Sequence, residues 1–152
     1  MLETPHIFVG AAIASKVPNP IAAISISFLS HFVLELVPHW NPHINTEMKA
    51  HGHITKQSMA IIIADAVLAL VSGFIISLNP PGNTNPYVIL ACCFASILPD
   101  LVEAPYFIFH YKHKILATWL KWQKALQNDA SPLPGLLTQL ATIMAVVVWM
   151  YF

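Results

Sequence analysis

Arginine is absent from all 152 residues, and charged side chains of every kind make up only 9% of the chain. A soluble domain carries about 25%, so a surface wetted by its own charge is excluded. Seven lysines balance seven acids, and no run of basic residues exists from which to build an electrostatic footprint on nucleic acid. The only two cysteines, Cys92 and Cys93, are adjacent inside an apolar run. They can neither staple distant segments nor form a CxxC metal pair, and are expected to be small buried hydrophobes. The opening Met1–His6 lacks the positive stretch and small-residue cleavage site of a secretory signal, so no removed leader is expected. What is present is apolar: 57% of residues are hydrophobic. The expected solvent is lipid, and the length allows one domain, residues 1–152.

The apolar runs define the organisation. Ile7 to Ala14 is short, preceded by Thr4-Pro5, where Thr can cap a helix and Pro can occupy its first position. Val17-Pro18-Asn19-Pro20 breaks the chain, and Ile21 to Val37 follows, ending at Pro38. These two read as a helical hairpin, either re-entrant or spanning, with Lys16 near its turn. His39 to Lys56 is polar, with four of the eight histidines. Ser58 to Leu78 is long enough to span, Asn79–Asn83 is a turn, and Tyr87 to Phe109 is a second span in which Pro99 and Pro105 predict a kink or break. Tyr111 to Asn128 alternates lysines with Trp119, Trp122 and Leu126, the pattern of an amphipathic helix lying in the interface. Ser131–Gly135 breaks it, and Leu136 to Phe152 forms a last membrane helix. The fold expected is an all-α, polytopic membrane bundle of about five helices plus one interfacial helix.

Lysine placement orients the chain. Lys49 and Lys56 precede one span and Lys112, Lys114, Lys121 and Lys124 follow the next, so all six share a face, which the positive-inside rule puts in the cytoplasm. The expected location is the cell inner membrane, with several passes. Glu3, Glu47 and Asp129 fall in segments expected to face water, whereas Glu35, Asp65, Asp100 and Glu103 fall inside apolar helices. An ionisable group there costs roughly 2.5–3.5 kcal/mol on insertion scales, so the four are expected to face inward and share something positive. At ~1.5 Å per residue they and His31 lie roughly 5–14 Å inside the lysine-rich face, and His6 returns to that face at the start of the hairpin.

His31 and Glu35 stand four apart, on one helical face, a spacing at which two side chains bind one metal; a buried His–Glu hydrogen bond is the alternative. His39, just past Pro38, can supply another nitrogen. Asp100 and Glu103 stand three apart and repel unless a cation or shared proton intervenes, or unless Asp100 caps a helix while Glu103 snorkels. Asp65 either joins this site or bonds a Ser or Trp on a neighbouring helix, and His6 either joins it or is exposed at the interface. His43, His51, His53, His110 and His113 are expected in solvent.

Thr4-Pro5-His6-Ile7-Phe8-Val9-Gly10-Ala11-Ala12, Ser30-His31-Phe32-Val33-Leu34-Glu35-Leu36-Val37-Pro38-His39-Trp40 and Leu98-Pro99-Asp100 together resemble the small bacterial inner-membrane proteins known as membrane-bound metal-dependent hydrolases. The His-x-x-x-acid element is similar to that of zinc-dependent phospholipases C. The resemblance covers roughly the first 105 residues in pieces and implies His6, His31, Glu35 and Asp100 as metal ligands. Two positions depart from the pattern: Glu35 stands where the family favours Asp, and Leu101-Val102-Glu103 follows Leu-Pro-Asp where Asp-His is usual.

Two functions are therefore expected as alternatives. One is a membrane-embedded hydrolase whose metal, Zn²⁺ by its mixed nitrogen and oxygen ligands with Mn²⁺ or Fe²⁺ as alternatives, is held by His6, His31, Glu35, His39 and Asp100. Glu103 or Asp65 would act as general base, and the substrate would be an amphiphile such as a phospholipid or another phosphate ester. The other is a non-enzymatic membrane protein with a buried proton or cation relay, or a structural metal site.

Overall fold

The computed structural model describes residues 1–152 and is all α-helical, with no strand. Eight helices follow one another: α1 (Glu3–Lys16), α2 (Pro20–Glu35), α3 (Ile44–His51), α4 (Lys56–Leu78), α5 (Pro86–Leu101), α6 (Ala104–Ile108), α7 (Lys114–Leu126) and α8 (Pro132–Tyr151). The five apolar segments expected from sequence are α1, α2, α4, α5 and α8. Two helices, α4 and α8, are long and apolar enough to cross a membrane, with mean hydropathy 2.5 and 1.8. α2 and α5, at 16 residues each, reach about 24 Å.

α1 is the central helix, packed against α2, α4, α5 and α8. Its small residues allow this. A Cβ at Gly10 would stand 2.7 Å from the Cys92 carbonyl oxygen, so only glycine permits the α1–α5 crossing at this separation. Ala11, Ala12, Ile89, Cys92 and Cys93 are buried around it, as expected for the cysteines. The outer faces are the reverse of a soluble protein's: Leu70, Phe74 and Leu78 of α4, and Leu137, Leu140 and Met144 of α8 are all exposed. Only 22% and 17% of the apolar windows of α4 and α8 are buried within the protein, so neither is the core helix of a soluble domain.

Several boundaries differ from those expected. The polar stretch 39–56 contains α3, whose Glu47 accepts from the Thr55 amide, the Thr55 hydroxyl and the Ser58 hydroxyl. That contact fastens α3 to the start of α4. α8 begins at Pro132 rather than Leu136, because the prolines at 132 and 134 fall in the first turn, where a backbone N–H has no intrahelical partner to lose. The Tyr87–Phe109 span is broken, as the prolines predicted, into α5 and α6.

Candidate metal centre

Three helix ends converge at one end of the bundle. α1 brings His6 from its first turns, α2 brings His31 and Glu35 from its last turns, and α5 brings Asp100 from its C-terminus, where Pro99 interrupts the ladder. His39 follows α2 in an extended segment pinned from outside: its amide donates to the Asn128 carbonyl and its own carbonyl accepts from the Ala130 amide. The Thr138 hydroxyl bonds the Pro38 carbonyl. The close seating of α8 on His39–Trp40 requires Gly135, since any Cβ there would collide with that backbone.

His6, His31, Glu35 and His39 are all at most 1% exposed. His6 and His31 stack with ring centroids 4.3 Å apart, and one ligand atom each from His6, His31 and Asp100 lie within 4.8 Å of one another. Three donor pairs have nearly equal spacing: His31 Nε2 to Asp100 Oδ1 3.5 Å, His6 Nε2 to Glu35 Oε1 3.5 Å, and His39 Nε2 to Glu35 Oε2 3.6 Å. All are too long for good hydrogen bonds. Two ligands at 2.0–2.1 Å from one tetrahedral ion stand roughly 3.3–3.4 Å apart, which is close to what is observed.

Two of the histidines have one ring nitrogen fixed by a backbone carbonyl. His31 Nδ1 faces the Ser96 carbonyl at 2.9 Å and His39 Nδ1 faces the Val37 carbonyl at 2.8 Å. Each Nδ1–H is thereby fixed as a donor, and Nε2 is left with its lone pair toward the cluster. Burial, and after it the Met1 ammonium, pushes the His39 pKa down, which favours the neutral form that can bind a metal.

Hydrogen-bond accounting points the same way. Nine buried side-chain nitrogen or oxygen atoms have no partner, and eight of them belong to Glu3, His6, His31, Glu35, His39, Glu103 and Gln123. Buried polar atoms are rarely left unpaired, so their concentration in one cluster fits a group that accepts lone pairs. The charges agree. The carboxyl groups of Glu3, Glu35, Asp100 and Glu103 gather here, yet all seven lysines are exposed and the one ammonium in the cluster is that of Met1, which pairs with Glu35.

Of the residues singled out from sequence, His6, His31, Glu35, His39 and Asp100 come together and Glu103 lies at the rim. Asp65 has other partners. Its carboxylate accepts from the Glu3 amide at 2.5 Å, the Thr4 amide at 3.3 Å and the Thr4 hydroxyl at 2.6 Å, capping α1, whose own N-cap residue Leu2 offers no side-chain oxygen. That anchors His6 from a distance and leaves Asp65 occupied as a cap rather than free as a base. Glu3, expected in water, instead has a buried Oε2. Sequence reasoning also passed over Gln123, which donates to Asp100, and Gln139, which accepts from the Leu2 amide and donates to the Trp40 carbonyl. A signal existed for both: each is an amide on an otherwise apolar face. His43, His51, His53, His110 and His113 are exposed, as expected.

No protein-family model matches the chain, and no curated protein or solved structure is significantly similar to it.

Proposed function

We propose that this chain is a membrane-embedded, metal-dependent hydrolase acting on an amphiphilic ester at the lipid–water boundary. The observation that carries the reading is the cluster of buried, unpartnered ligand atoms on His6, His31, Glu35 and His39 beside Asp100. The mixed imidazole and carboxylate donors suit Zn²⁺, with Mn²⁺ or Fe²⁺ as alternatives. Bound there, such an ion supplies Lewis acidity, which activates water near neutral pH.

The remaining tasks fall to the chain's own residues. Glu103 is the general base, since its Oε1 is buried without a partner and its carboxylate lies beside Gln123. His31 and His39 are oriented by the Ser96 and Val37 carbonyls, and His6 by its stacking on His31. Asp100, 25% exposed where the histidines are sealed, marks the side from which substrate arrives. With no arginine in the chain, a phosphate group would be recognised by the metal and nearby lysines rather than by a guanidinium fork. The apolar outer faces support a multi-pass bundle with lipid around it and the site near its cytoplasmic face. The reading also agrees with the membrane-bound metal-dependent hydrolases that the sequence motifs resemble.

A transmembrane proton or cation relay is less well supported. Beyond the site the α1–α5 core is Ala11, Ala12, Ile89 and Cys92, and the buried polar groups around it, Ser27, Ser77 and Ser96, are hydroxyls with no buried acid or histidine among them to relay charge toward the far end. The test is hydrolysis of phospholipid and phosphate-ester substrates in mixed micelles. Turnover should be abolished by a chelator and restored by Zn²⁺, and Glu103→Gln should cut it about 10²–10⁴-fold while metal stays bound. A metal-loaded protein that hydrolyses none of these esters would reject the enzymatic reading.

A further inference from the structure

Asp100 is the partly exposed member of the cluster, at 25% where the histidines are sealed, and α7 packs beside it through Gln123. α7 is amphipathic: at about 100° per residue, Lys114 and Lys121 fall on one face and Gln123 roughly 180° from Lys114 on the other. The lysine face is exposed, while Leu120 and Gln123 are 7% and 3% exposed. Few contacts hold α7 in place. Trp119 and Trp122 pack edge-on against Phe32, the neighbour of His31, at 6.1 and 4.9 Å. Trp119 Nε1 donates to the Pro99 carbonyl at 3.2 Å, and Gln123 Nε2 donates to Asp100 Oδ1, also at 3.2 Å. Both long-range hydrogen bonds from α7 therefore end on the Pro99-Asp100 step, where the proline has weakened the helix that carries the ligand.

Asp100 Oδ1, the oxygen that receives Gln123, is also the one facing His31 Nε2 at 3.5 Å. A donor behind a ligating carboxylate fixes which oxygen points at the metal and how far the side chain can swing. We infer that Gln123 is a positioning residue of the metal centre, and that the centre is complete only when α7 is seated, with Gln123 on Asp100 and Trp119 on Pro99. This rests on the metal-centre reading above. α7 thereby sets the geometry of the ligand at the rim: without Gln123 seated on it, Asp100 loses its only amide donor.

The test is a Zn²⁺ titration of the detergent-purified full chain against a chromogenic chelator. Gln123→Met keeps the volume and removes the donor, and should weaken Zn²⁺ binding about 10–100-fold with unchanged helical content. Trp119→Phe keeps a ring and loses the second bond, and should weaken binding in the same direction by a smaller factor. Gln127→Ala, whose side chain bonds only Lys124, should leave affinity unaltered. Wild-type affinity in Gln123→Met overturns the inference while leaving the metal centre standing. If Gln123→Met does not fold, wild-type affinity in Trp119→Phe overturns it instead. A wild-type chain that binds no Zn²⁺ removes the centre itself, and this inference with it.

Discussion

The two ends of the bundle share α1, α2, α4 and α5, yet their chemistry is opposite. At one end lie His6, His31, Glu35, His39 and Glu103, each with a buried polar atom unpaired, beside the partly exposed Asp100. At the other, α1 turns into α2 and α4 into α5 through segments rich in proline, glycine and asparagine. There Asn19 and Asn85 cap α2 and α5 through the Ala22 and Tyr87 amides, and the one charged side chain, Lys16, is exposed. The side-chain hydrogen bonds in those turns, made by Ser15, Asn19, Asn79, Thr84 and Asn85, all join nearby backbone. At the first end, polar groups outnumber what the backbone needs, and the excess is aimed inward. The contrast separates residues that make the helices from residues that the helices were brought together to hold.

Substitutions that break the contrast should differ in what they disturb. The largest effect is expected between the two ends, at Gly10→Val. Its Cβ would meet the Cys92 carbonyl oxygen at 2.7 Å and Ser96 Oγ at 3.0 Å, so α1 must move off α5. That costs about 3 kcal/mol and shifts His6 from His31, so thermal stability and metal content should fall together. Asp65→Ala comes next. It removes the cap of α1 and leaves two amides and a hydroxyl without an acceptor, a loss of about 2 kcal/mol. Because Asp65 meets only the backbone of Glu3 and Thr4 and the Thr4 hydroxyl, and none of the candidate ligands, metal should still bind, more weakly, whereas loss of a ligand should abolish binding.

The smallest effect is expected at Glu47. The Ser58 hydroxyl, followed by the Thr55 amide, holds its carboxyl below the ordinary carboxylate pKa. A pKa depressed by folding contributes stability above the unfolded value, and that contribution is lost as pH falls through the folded value. Glu47→Gln should therefore melt about 2–4 °C below wild type at neutral pH. The gap should close in acid, as the wild-type carboxyl takes up its proton, and metal content should not change at any pH where the protein is folded.

Much of this was legible in the sequence for a physical reason. Apolar runs and prolines fix helix limits locally, so the five apolar helices and the break after α5 could be read directly. The 3.6-residue period put His31 and Glu35 on one face, and the expense of burying acids in apolar helices drew attention to Asp100 and Glu103. Non-local contacts were hidden. Asp65 looked like a site residue because burial alone does not say which donors a carboxylate meets; its partners lie about sixty positions away, on Glu3 and Thr4. Glu3 looked solvated because it is near the chain start, and the close packing of α1 that draws it inward depends on Gly10 meeting Cys92. Gln123 was masked by the lysines around it, although it is the residue on α7 that points the other way.

The central claim is that the buried cluster is a metal centre. Its most direct test is elemental analysis of the full chain purified in detergent without added chelator, beside His31→Ala prepared identically. The account predicts at least about one equivalent of transition metal per wild-type chain, following the coordination expected of its ligands, and a loss of that metal in His31→Ala without loss of helical content. Wild-type protein free of transition metal, or His31→Ala with the same metal content as wild type, would contradict it.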